Sequence, residues 1–429
     1  SVSVKNTGGK AGSVPVQIYL QKPYTDYDEE NGIEKAAAEL VGFAKTDVLA
    51  PDEKKTYTVD VDGSEFKTYD SYNKKTYILE KGDYYLAFGE NAHDAVNNIL
   101  AAKGYDSADG MTDIYGQPDN GDKTFAHKIT VSENDYEKYS VSEYTQEEVT
   151  NRFDDTDINL YAGTANQKIT YLSRKDWNGT YPSSEVKMTA VNNIFVKDMQ
   201  YSSGIENWKD PDAEMPTYGT VTNEQAGKDG LKLIMFRGLE YDNPNWDDLL
   251  DQLTWEETVK LCGISNHLIQ AVKSVSSPSV VAHDGPAGVK DVQEKVGTLM
   301  AFPCGVLLAS TFDEALVEEV CVAFGHEMLH GGCGEIYGTG AGLHRSVYGG
   351  RNWEYFSEDG YLSGRTLCAE VKGLQSMGAI VNIKHLVLND QEIYRCGITT
   401  WANEQTIREL YLKAFEAAVT EAKANGVMS

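Results

Sequence analysis

Residues 344–360, with the sequence HRSVYGGRNWEYFSEDG, concentrate side chains that form hydrogen bonds and ion pairs. The run has neither helical nor alternating periodicity, so it predicts a structured loop in which glycines let the backbone turn and polar groups converge. Its arginines, acids and aromatic residues are suited to holding a polar ligand. A surface loop with a few buried polar anchors has a similar composition, and for a loop considered alone that interpretation is preferable.

Three further polar groups follow short apolar runs and favour the ligand interpretation. Residues 283–288 read HDGPAG, Lys384 and His385 follow the apolar run 379–383, and residues 389–392 read NDQE. Polar side chains that come directly after parallel strands gather at one edge of the sheet, where (β/α) barrels place their active sites. We therefore expect these groups to share one site.

Composition limits the kinds of partner. The chain has 429 residues, 38 Lys and Arg against 66 Asp and Glu, and a net charge of -28. Two or three domains are expected at this length. Because phosphate binding needs clustered Lys and Arg, the excess of acid argues against nucleic acid and anionic membranes and fits a neutral partner. No apolar run reaches the ~20 residues of a membrane span.

The N-terminus and the cysteines bear on localisation. The start, SVSVKNTGGKAG, lacks the basic residues and apolar core of a signal peptide, and it also lacks an initiator Met. The six cysteines include no CxxC pair, which disfavours a disulfide scaffold or a zinc ribbon and favours buried free thiols. They are Cys262, Cys304, Cys321, Cys333, Cys368 and Cys396. Localisation stays open, with this cysteine usage favouring a bacterial cytoplasm, and no cofactor is expected.

Residues 1–145 carry the pattern of a small β-sandwich with an insertion. Apolar residues alternate with polar ones at 14–20, 57–61 and 84–88, with turn residues between the runs. A helical segment at 92–102 and a Gly/Asp-rich stretch at 104–122 come before a last strand at 125–131. Short alternating strands at this spacing are typical of sandwiches. Residues 146–240 are polar with little periodicity, and we interpret them as an extended connector lying across other domains.

Residues 241–429 alternate between strands and helices. Residues 280–282 and 379–383 predict strands, Thr311–Glu314 has the form of a capping box, an apolar stripe at 367–377 ends at Gly378, and a stripe at 407–418 ends at Gly426. A further strand begins at Val427. Repeated βα units predict a parallel sheet, for which a (β/α) barrel is the commonest fold. About five units are present where a full barrel needs ~250 residues, so the barrel is expected to be incomplete.

At these residues the chain resembles glycoside hydrolase family 3, the β-glucosidase and β-xylosidase class. The matching segments are DGPAGV at 284–289, AFPCGVLLASTFD at 301–313, residues 344–359, VNIKHLVLNDQE at 381–392 and WANEQTIRELYLKAFE at 401–416. Residues 1–131 resemble the fibronectin-III-like domain of that family, with VKNTGGKAG, ELVGF and KGDYYLAFGENAHDA. This domain precedes the barrel here, as in a circularly rearranged subgroup from gut and rumen bacteria, in which an α/β sandwich comes first and the barrel last.

The resemblance implies a binding site for the terminal sugar. Asp284 would accept hydrogen bonds from sugar hydroxyls, and its charge would strengthen them. Arg351, Lys384 and His385 would donate to other hydroxyls, and Met428 would line the pocket. Structural roles stay open for some of these residues: Asp284 could cap a turn, Arg351 could pair with a glutamate of its own loop (Glu354 or Glu358), and His385 could be a core histidine. Arg345, Glu358 and Asp359 are expected to support the loop.

The resemblance also implies a retaining, exo-acting β-glucosidase that removes a terminal β-D-glucosyl residue. Such an enzyme needs two carboxyl groups ~5 Å apart. The family's nucleophile is an Asp after the strand that begins at Val427, so it is expected beyond Ser429, and the acid/base comes from the sandwich domain. The Ser-Arg-Lys-Asp-Trp run at 173–177 imitates the nucleophile motif but lies in the connector, and nothing places Glu392 opposite a nucleophile. The chain is thus expected to supply the sugar-binding half of a site that the remaining segments of the enzyme complete.

Two alternatives remain. The HEMLH sequence at 326–330 matches HExxH, in which His326 and His330 would bind zinc and Glu327 would act as the base. The chain could instead be a non-catalytic carbohydrate-binding fragment. Glucose or xylose preference, linkage specificity and the oligomeric state, including a homo-oligomer, are not decided by the sequence.

Overall fold

The computed structural model describes residues 1–161, 169–181, 230–264, 267–290, 299–395, 398 and 400–429. Two compact units are found, Ser1–Lys175 together with His283–Ser429, and Asp176–Ala282. No helix within the described ranges combines the length and apolar character needed to cross a bilayer. The predicted domain boundaries near residues 145 and 240 stay predictions.

The strands are β1 Val2–Lys5, β2 Pro15–Gln21, β3 Glu39–Lys45, β4 Lys54–Tyr57, β5 Thr68–Asp70, β6 Thr76–Ile78, β7 Gly82–Gly89, β8 Ala126–Val131, β9 Leu268–Ile269, β10 Val280–Asp284, β11 Glu335–Tyr337, β12 Ile380–Ile383 and β13 Gly426–Val427. The α-helices are α1 Asp26–Asn31, α2 Ala92–Lys103, α3 Ile158–Tyr161, α4 Trp177–Thr180, α5 Asn245–Leu250, α6 Trp255–Gly263, α7 Gly305–Ala309, α8 Glu314–His330, α9 Gly360–Ser376, α10 Glu404–Thr406 and α11 Leu412–Thr420. A π-helical segment, Ile407–Tyr411, joins α10 to α11.

The first part of the larger unit is antiparallel. A four-stranded sheet has the order β3-β2-β7-β8, and two small sheets pair β1 with β4 and β5 with β6. Both faces of β2 are covered, because Ile18 and Leu20 pack in one cluster while Tyr19 packs in another with the apolar face of α2. The predicted strand at 57–61 is wrong in its position: β4 ends at Tyr57, and Val59 and Val61 pack against the core from outside it.

The second part of this unit places helices against a parallel sheet. β11, β12 and β13 pair in parallel, with Ile336 opposite Val381 and Ile383 opposite Val427. α8, α9 and α11 bury their apolar stripes in the same core as these strands. β11 also neighbours β10 in this sheet. The predicted count of about five βα units stays a prediction.

The ends of the helices differ in detail from the sequence prediction. Asp313, rather than Thr311, caps α8, and its carboxylate accepts a hydrogen bond from the Leu316 N–H at 3.1 Å. Thr311 instead donates its hydroxyl to the Leu308 carbonyl. Gly378 has φ +84 directly after the last turn of α9, as expected for a helix-ending glycine. The α11 helix ends earlier than predicted, at Thr420, and Gly426 belongs to β13.

Part of the predicted connector is visible in the larger unit. The Glu404 carboxylate at the start of α10 accepts hydrogen bonds from the backbone N–H groups of Arg152 at 2.9 Å and Phe153 at 2.6 Å. The Asp157 carboxylate, 1% exposed, accepts from the hydroxyls of Tyr72 and Tyr171. This stretch is therefore anchored by buried polar contacts. Most of the remaining connector, residues 182–229, lies outside the described residues.

The smaller unit has its own core. Phe236, Leu249, Val272 and Val275 form a buried cluster, and β9 pairs antiparallel with the start of β10. Thr254 and Glu257 form the capping box of α6. Glu257 also accepts a hydrogen bond from the Ser274 hydroxyl at 2.7 Å, which ties the helix to the following 3-10 turn.

The cysteines agree only in part with the expectation of buried thiols. All five that are described are free; Cys321, Cys333 and Cys368 are buried, and Cys304 is half-buried. Cys262 is exposed, so the expectation was wrong for this residue. Cys396 lies outside the described residues.

Candidate active site

Asp284 is the last residue of β10 and is followed by a tight turn. Gly285 has φ +142, and a Cβ atom there would lie 1.8 Å from the carbonyl oxygen of Gly288, so only glycine fits. The Lys290 N–H donates to the Asp284 carbonyl at 2.7 Å and closes the turn. The Asp284 carboxylate consequently stands at the end of the strand with a side-chain exposure of 38%.

Lys384 and His385 follow β12 and are fixed by the backbone on both sides. The Lys384 N–H donates to the Thr339 carbonyl at 3.1 Å, and the Lys384 carbonyl accepts from the Ala341 N–H at 2.5 Å. On the other side, the Leu386 N–H donates to the Met428 carbonyl at 3.0 Å. The end of β12 is thus held between the segment after β11 and the segment after β13. The Lys384–His385 peptide bond is cis.

The Lys384 ammonium is the buried cation at the centre of the site. The residue is 1% exposed, and its Nζ lies 2.5 Å from Oδ1 of Asp284 and 3.8 Å from Oε2 of Glu354. Since an isolated buried ammonium is costly, these two carboxylates are what stabilise it there. Asp284 is half-exposed, so one face of this pair is open to a ligand.

Arg351 reaches the same region from the loop at 344–360. Its Nε donates to Oε1 of Glu354, which is fully buried, and lies 4.0 Å from Oε1 of Glu392. Oε2 of Glu354 has no hydrogen-bond partner and faces Lys384. Glu354 therefore links two cations, and the ion pair with Glu354 that was the structural alternative for Arg351 is present.

His385 is held by a hydroxyl rather than by a carboxylate. The Tyr355 hydroxyl lies 2.8 Å from His385 Nδ1, and the Asn389 amide donates to the same hydroxyl oxygen at 3.1 Å. Asn389 also donates to Oε1 of Glu392, whose other oxygen accepts from Arg395 at 2.9 Å. These contacts join the NDQE segment to the loop at 344–360.

The charges of the site follow from burial and from these neighbours. Burial raises the pKa of Asp284, but the hydrogen bond and charge of Lys384 and the charge of Arg351 outweigh it, so the pKa lies below its usual value. Burial lowers the pKa of Lys384, and Asp284 opposes that shift without cancelling it. Burial, followed by the charges of Arg351 and Lys384, lowers the pKa of His385 to about 3. At neutral pH the site holds an ionised Asp284 and a neutral His385.

The structure brings four predicted residues together and places the fifth beside them. Lys384 contacts Asp284 directly. The charge of Arg351 lowers the pKa values of Asp284 and His385, and the charge of Lys384 does the same. Met428 is half-buried, and its backbone bonds place it next to the end of β12. Asp359 has a structural role, because it caps α9 by accepting from the Leu362 N–H at 2.8 Å.

Sequence reasoning assigned no role to Tyr355, Asn389 or Arg395. Tyr355 and Asn389 lie in segments whose polar character was noticed, but nothing in the spacing tells which polar residue faces inward. Only the structure shows that Tyr355, 2% exposed, carries the hydroxyl that meets His385. The charge of Arg395 also contributes to lowering the pKa of His385.

The HEMLH helix does not build a comparable cluster. His326 and His330 are exposed on α8, and Glu327 accepts a hydrogen bond from the Met300 N–H at 3.3 Å. Across the described ranges, no group of three His, Cys, Asp or Glu side chains is arranged to hold a metal ion. The zinc hypothesis thus gains no support from the geometry.

Two models of protein families match parts of the chain. A model of the glycosyl hydrolase family 3 N terminal domain matches residues 247–429, and a model of the fibronectin type III-like domain matches residues 15–92. Residues 247–429 thus match the N terminal domain of glycosyl hydrolase family 3. The fibronectin-like match precedes the hydrolase match, so the predicted resemblance to the family and the order of these two segments are confirmed.

Similar proteins are considerably longer than this chain. The Beta-glucosidase of Ruminococcus albus is 29% identical over 439 residues, covering 100% of this chain and 39% of the relative. Beta-glucosidase A of Butyrivibrio fibrisolvens is 28% identical, covering 98% of this chain and 45% of the relative. The chain thus spans less than half the length of either relative.

A solved structure supports the fold. A beta-glucosidase from Paenibacillus barengoltzii aligns with a TM-score of 0.62 and 23% sequence identity, covering 100% of this chain and 41% of that chain. At this identity the likeness concerns the fold alone. For this chain, the two family models indicate a fibronectin type III-like domain and a hydrolase domain of the TIM-barrel type.

Proposed function

We propose that this chain supplies the sugar-binding part of a retaining, exo-acting β-glucosidase. The observation that carries the proposal is the contact between Asp284 and Lys384 at the ends of β10 and β12, with His385 and Arg351 beside it. A half-exposed carboxylate can accept hydrogen bonds from sugar hydroxyls, while the buried ammonium beside it donates. A sugar hydroxyl can both donate and accept hydrogen bonds, so an acceptor on Asp284 next to a donor on Lys384 is suited to binding a sugar.

The substrate is a terminal β-D-glucosyl residue of an oligosaccharide or glycoside. The names of the similar proteins from Ruminococcus albus and Butyrivibrio fibrisolvens support β-glucosidase activity of the whole enzyme. The acidic balance of the chain agrees with a neutral ligand, because a net charge of -28 repels anionic ones.

The nucleophile and the acid/base are supplied by parts of the enzyme outside this sequence. All three carboxylates of the described site are already bonded: Asp284 to Lys384, Glu354 to Arg351, and Glu392 to Arg395 and Asn389. A nucleophile and an acid must both face the substrate about 5 Å apart, and Glu354, which is fully buried, does not face it. Relatives more than twice as long have room for the remaining barrel and the α/β sandwich.

Calorimetric titration of the purified chain tests the sugar site. We expect saturable D-glucose binding that Asp284→Asn abolishes or strongly weakens. The matched control is Asp52→Asn, which removes a carboxylate of an exposed ion pair in the sandwich and should leave binding unchanged. A folded chain that binds no glucose would contradict the sugar site.

Hydrolysis of an aryl β-glucoside tests the division of roles. The chain alone should bind the sugar and release no phenol, whereas coexpression with the remaining segments of a family 3 enzyme should restore turnover. Turnover by the chain alone would show that the nucleophile lies within these 429 residues. Stoichiometric zinc with peptidase activity lost on chelation would favour the zinc alternative.

A further inference from the structure

The imidazole of His385 lies at the end of a chain of hydrogen bonds. Arg395 donates to the Glu392 carboxylate, Glu392 accepts from the Asn389 amide at 3.1 Å, and that amide donates to the Tyr355 hydroxyl oxygen. The Tyr355 hydroxyl then meets His385 Nδ1 at 2.8 Å. Four side chains, ending with the Tyr355 hydroxyl, therefore stand behind Nδ1 of the ring.

The direction of each bond follows from the chemistry of its groups. An ionised carboxylate only accepts, so Glu392 must face the NH₂ group of Asn389 and not its carbonyl oxygen. The same NH₂ group reaches the oxygen of Tyr355, which consequently acts as an acceptor on that side. The single hydrogen of the phenol is left to donate to His385.

The opposite arrangement would leave a buried donor without a partner. If His385 Nδ1 carried the hydrogen, the Tyr355 oxygen would accept twice and its own hydrogen would need another acceptor. Tyr355 is 2% exposed, and its hydroxyl contacts among the described residues are His385 and Asn389. An unpaired buried hydroxyl is destabilising, so His385 Nδ1 is the acceptor.

A neutral imidazole with an accepting Nδ1 carries its hydrogen on Nε2. Burial and the surrounding cations keep the ring neutral, since they lower the pKa of His385 to about 3. We infer that Tyr355 and Asn389 are positioning residues that hold His385 in the Nε2–H tautomer, so that the ring offers the sugar a hydrogen-bond donor. The sugar oxygen opposite Nε2 must then act as an acceptor.

This inference deepens the proposed function and rests on the sugar site proposed there. The tautomer of His385 itself can be measured without any sugar. Long-range ¹H–¹⁵N correlation spectra of the chain labelled with ¹⁵N-histidine distinguish protonated from unprotonated ring nitrogens. His385→Gln identifies the signals of this residue. At neutral pH we expect an unprotonated Nδ1 and a protonated Nε2, and a protonated Nδ1 or an averaged pair would overturn the inference.

Tyr355→Phe tests the source of the preference. The phenyl ring should stay in place, because a Cβ atom at Gly342 would lie 2.6 Å from Cζ of the Tyr355 ring, a sign of close packing. Without the hydroxyl, the two ¹⁵N shifts of His385 should move towards each other as the tautomers mix. Unchanged shifts in a folded Tyr355→Phe chain would overturn the role of Tyr355. Tyr348→Phe, on the exposed part of the same loop, is the matched control and should change nothing.

Asn389→Leu tests the second positioning residue. Without the Asn389 amide, the Tyr355 oxygen can also accept a hydrogen bond from a protonated Nδ1 of His385. The two ¹⁵N shifts of His385 should therefore move in the same direction as in Tyr355→Phe, but by less. If Asn389→Leu leaves them unchanged, Asn389 is not a positioning residue. The wild-type spectrum decides the tautomer even if a variant fails to fold. A chain with the expected tautomer that binds no glucose contradicts the proposed function alone, and a glucose-binding chain with the other tautomer contradicts this inference alone.

Discussion

Lys384 and Asp284 are 100 residues apart in the sequence, yet Nζ of one lies 2.5 Å from Oδ1 of the other. Each stands at the end of a strand, one after β12 and the other closing β10. The lysine is buried and the aspartate is half-exposed, so the pair presents its anionic side to a ligand. This geometry makes Asp284 the first residue to test.

Asp284→Asn should weaken glucose binding about tenfold or more. A hydrogen bond to a charged group contributes roughly 1.5–3 kcal/mol, and each 1.4 kcal/mol corresponds to about tenfold in Kd. The amide also leaves Lys384 with Glu354, at 3.8 Å, as its remaining acidic neighbour. Calorimetry on this variant and on the Asp52→Asn control measures the difference, and equal affinities would remove Asp284 from the site.

Glu354→Gln should destabilise the chain by about 3 kcal/mol, because breaking a buried ion pair leaves an uncompensated charge. Glu354 is fully buried between Arg351 and Lys384, so the variant leaves two cations sharing Asp284 and Glu392. Urea unfolding measures the loss. Asp83→Asn, which breaks an exposed pair with Lys128, is the control and should cost far less.

His385 should make the stability depend on pH in the acid range. Its pKa is about 3 in the folded chain against an ordinary value of 6.5, so between these values the unfolded chain binds a proton that the folded chain does not. Its contribution is therefore present above pH 6.5 and lost as the pH falls towards 3. The free energy of unfolding at pH 5 should drop relative to pH 7 on the order of 1 kcal/mol more in the wild type than in His385→Gln. Urea titrations of both proteins at the two pH values check this, and parallel losses would rule out a titrating His385.

Glu370 on α9 should make the free energy of unfolding depend on pH in the direction opposite to His385. It is 3% exposed, and burial raises its pKa from 4.5 to about 8. Between those values the folded chain keeps a proton that the unfolded chain has released, so its contribution is present below pH 4.5 and declines as the pH rises towards 8. From pH 5.5 to 7.5 the wild type should lose on the order of 2 kcal/mol relative to Glu370→Gln.

An exposed carboxyl on the neighbouring helix α8 provides the control for Glu370→Gln. Glu319→Gln changes an exposed carboxyl of α8 and should keep the pH dependence of the wild type. If Glu370→Gln and Glu319→Gln give the same stability profile from pH 5.5 to 7.5, Glu370 is not protonated in the folded chain.

Gly340→Ala should disturb the site by displacing the loop that carries Glu354. A Cβ atom at Gly340 would lie 2.6 Å from the Glu354 carbonyl oxygen, which as backbone cannot rotate away. We expect a loss of about 2 kcal/mol in the free energy of unfolding together with weaker glucose binding. Gly9→Ala has no atom within 4 Å of its new methyl group and should be neutral. Unfolding and calorimetry on both variants test this close approach.

Motifs tied to strand ends were predictable from the sequence. Lys384 and His385 follow the apolar run of β12 directly, and Asp284 follows that of β10, so their placement at one edge needed only the pattern of apolar runs and the resemblance. Apolar periodicity likewise located α2, α9 and α11, because core-facing residues must recur at helical spacing. Bounds such as the start of α8 were missed, since either Thr311 or Asp313 can cap a helix and local sequence does not choose between them.

The sequence alone determined the family, the order of its domains and which polar residues follow strands, because these depend on residue type and spacing along the chain. Tertiary structure alone decided that Glu354 joins Arg351 and Lys384, and that the Tyr355 hydroxyl meets His385. Which side chains form such contacts depends on which of them the loop directs into the interior of the protein. That choice depends on distances between segments far apart in the chain, which no local pattern records.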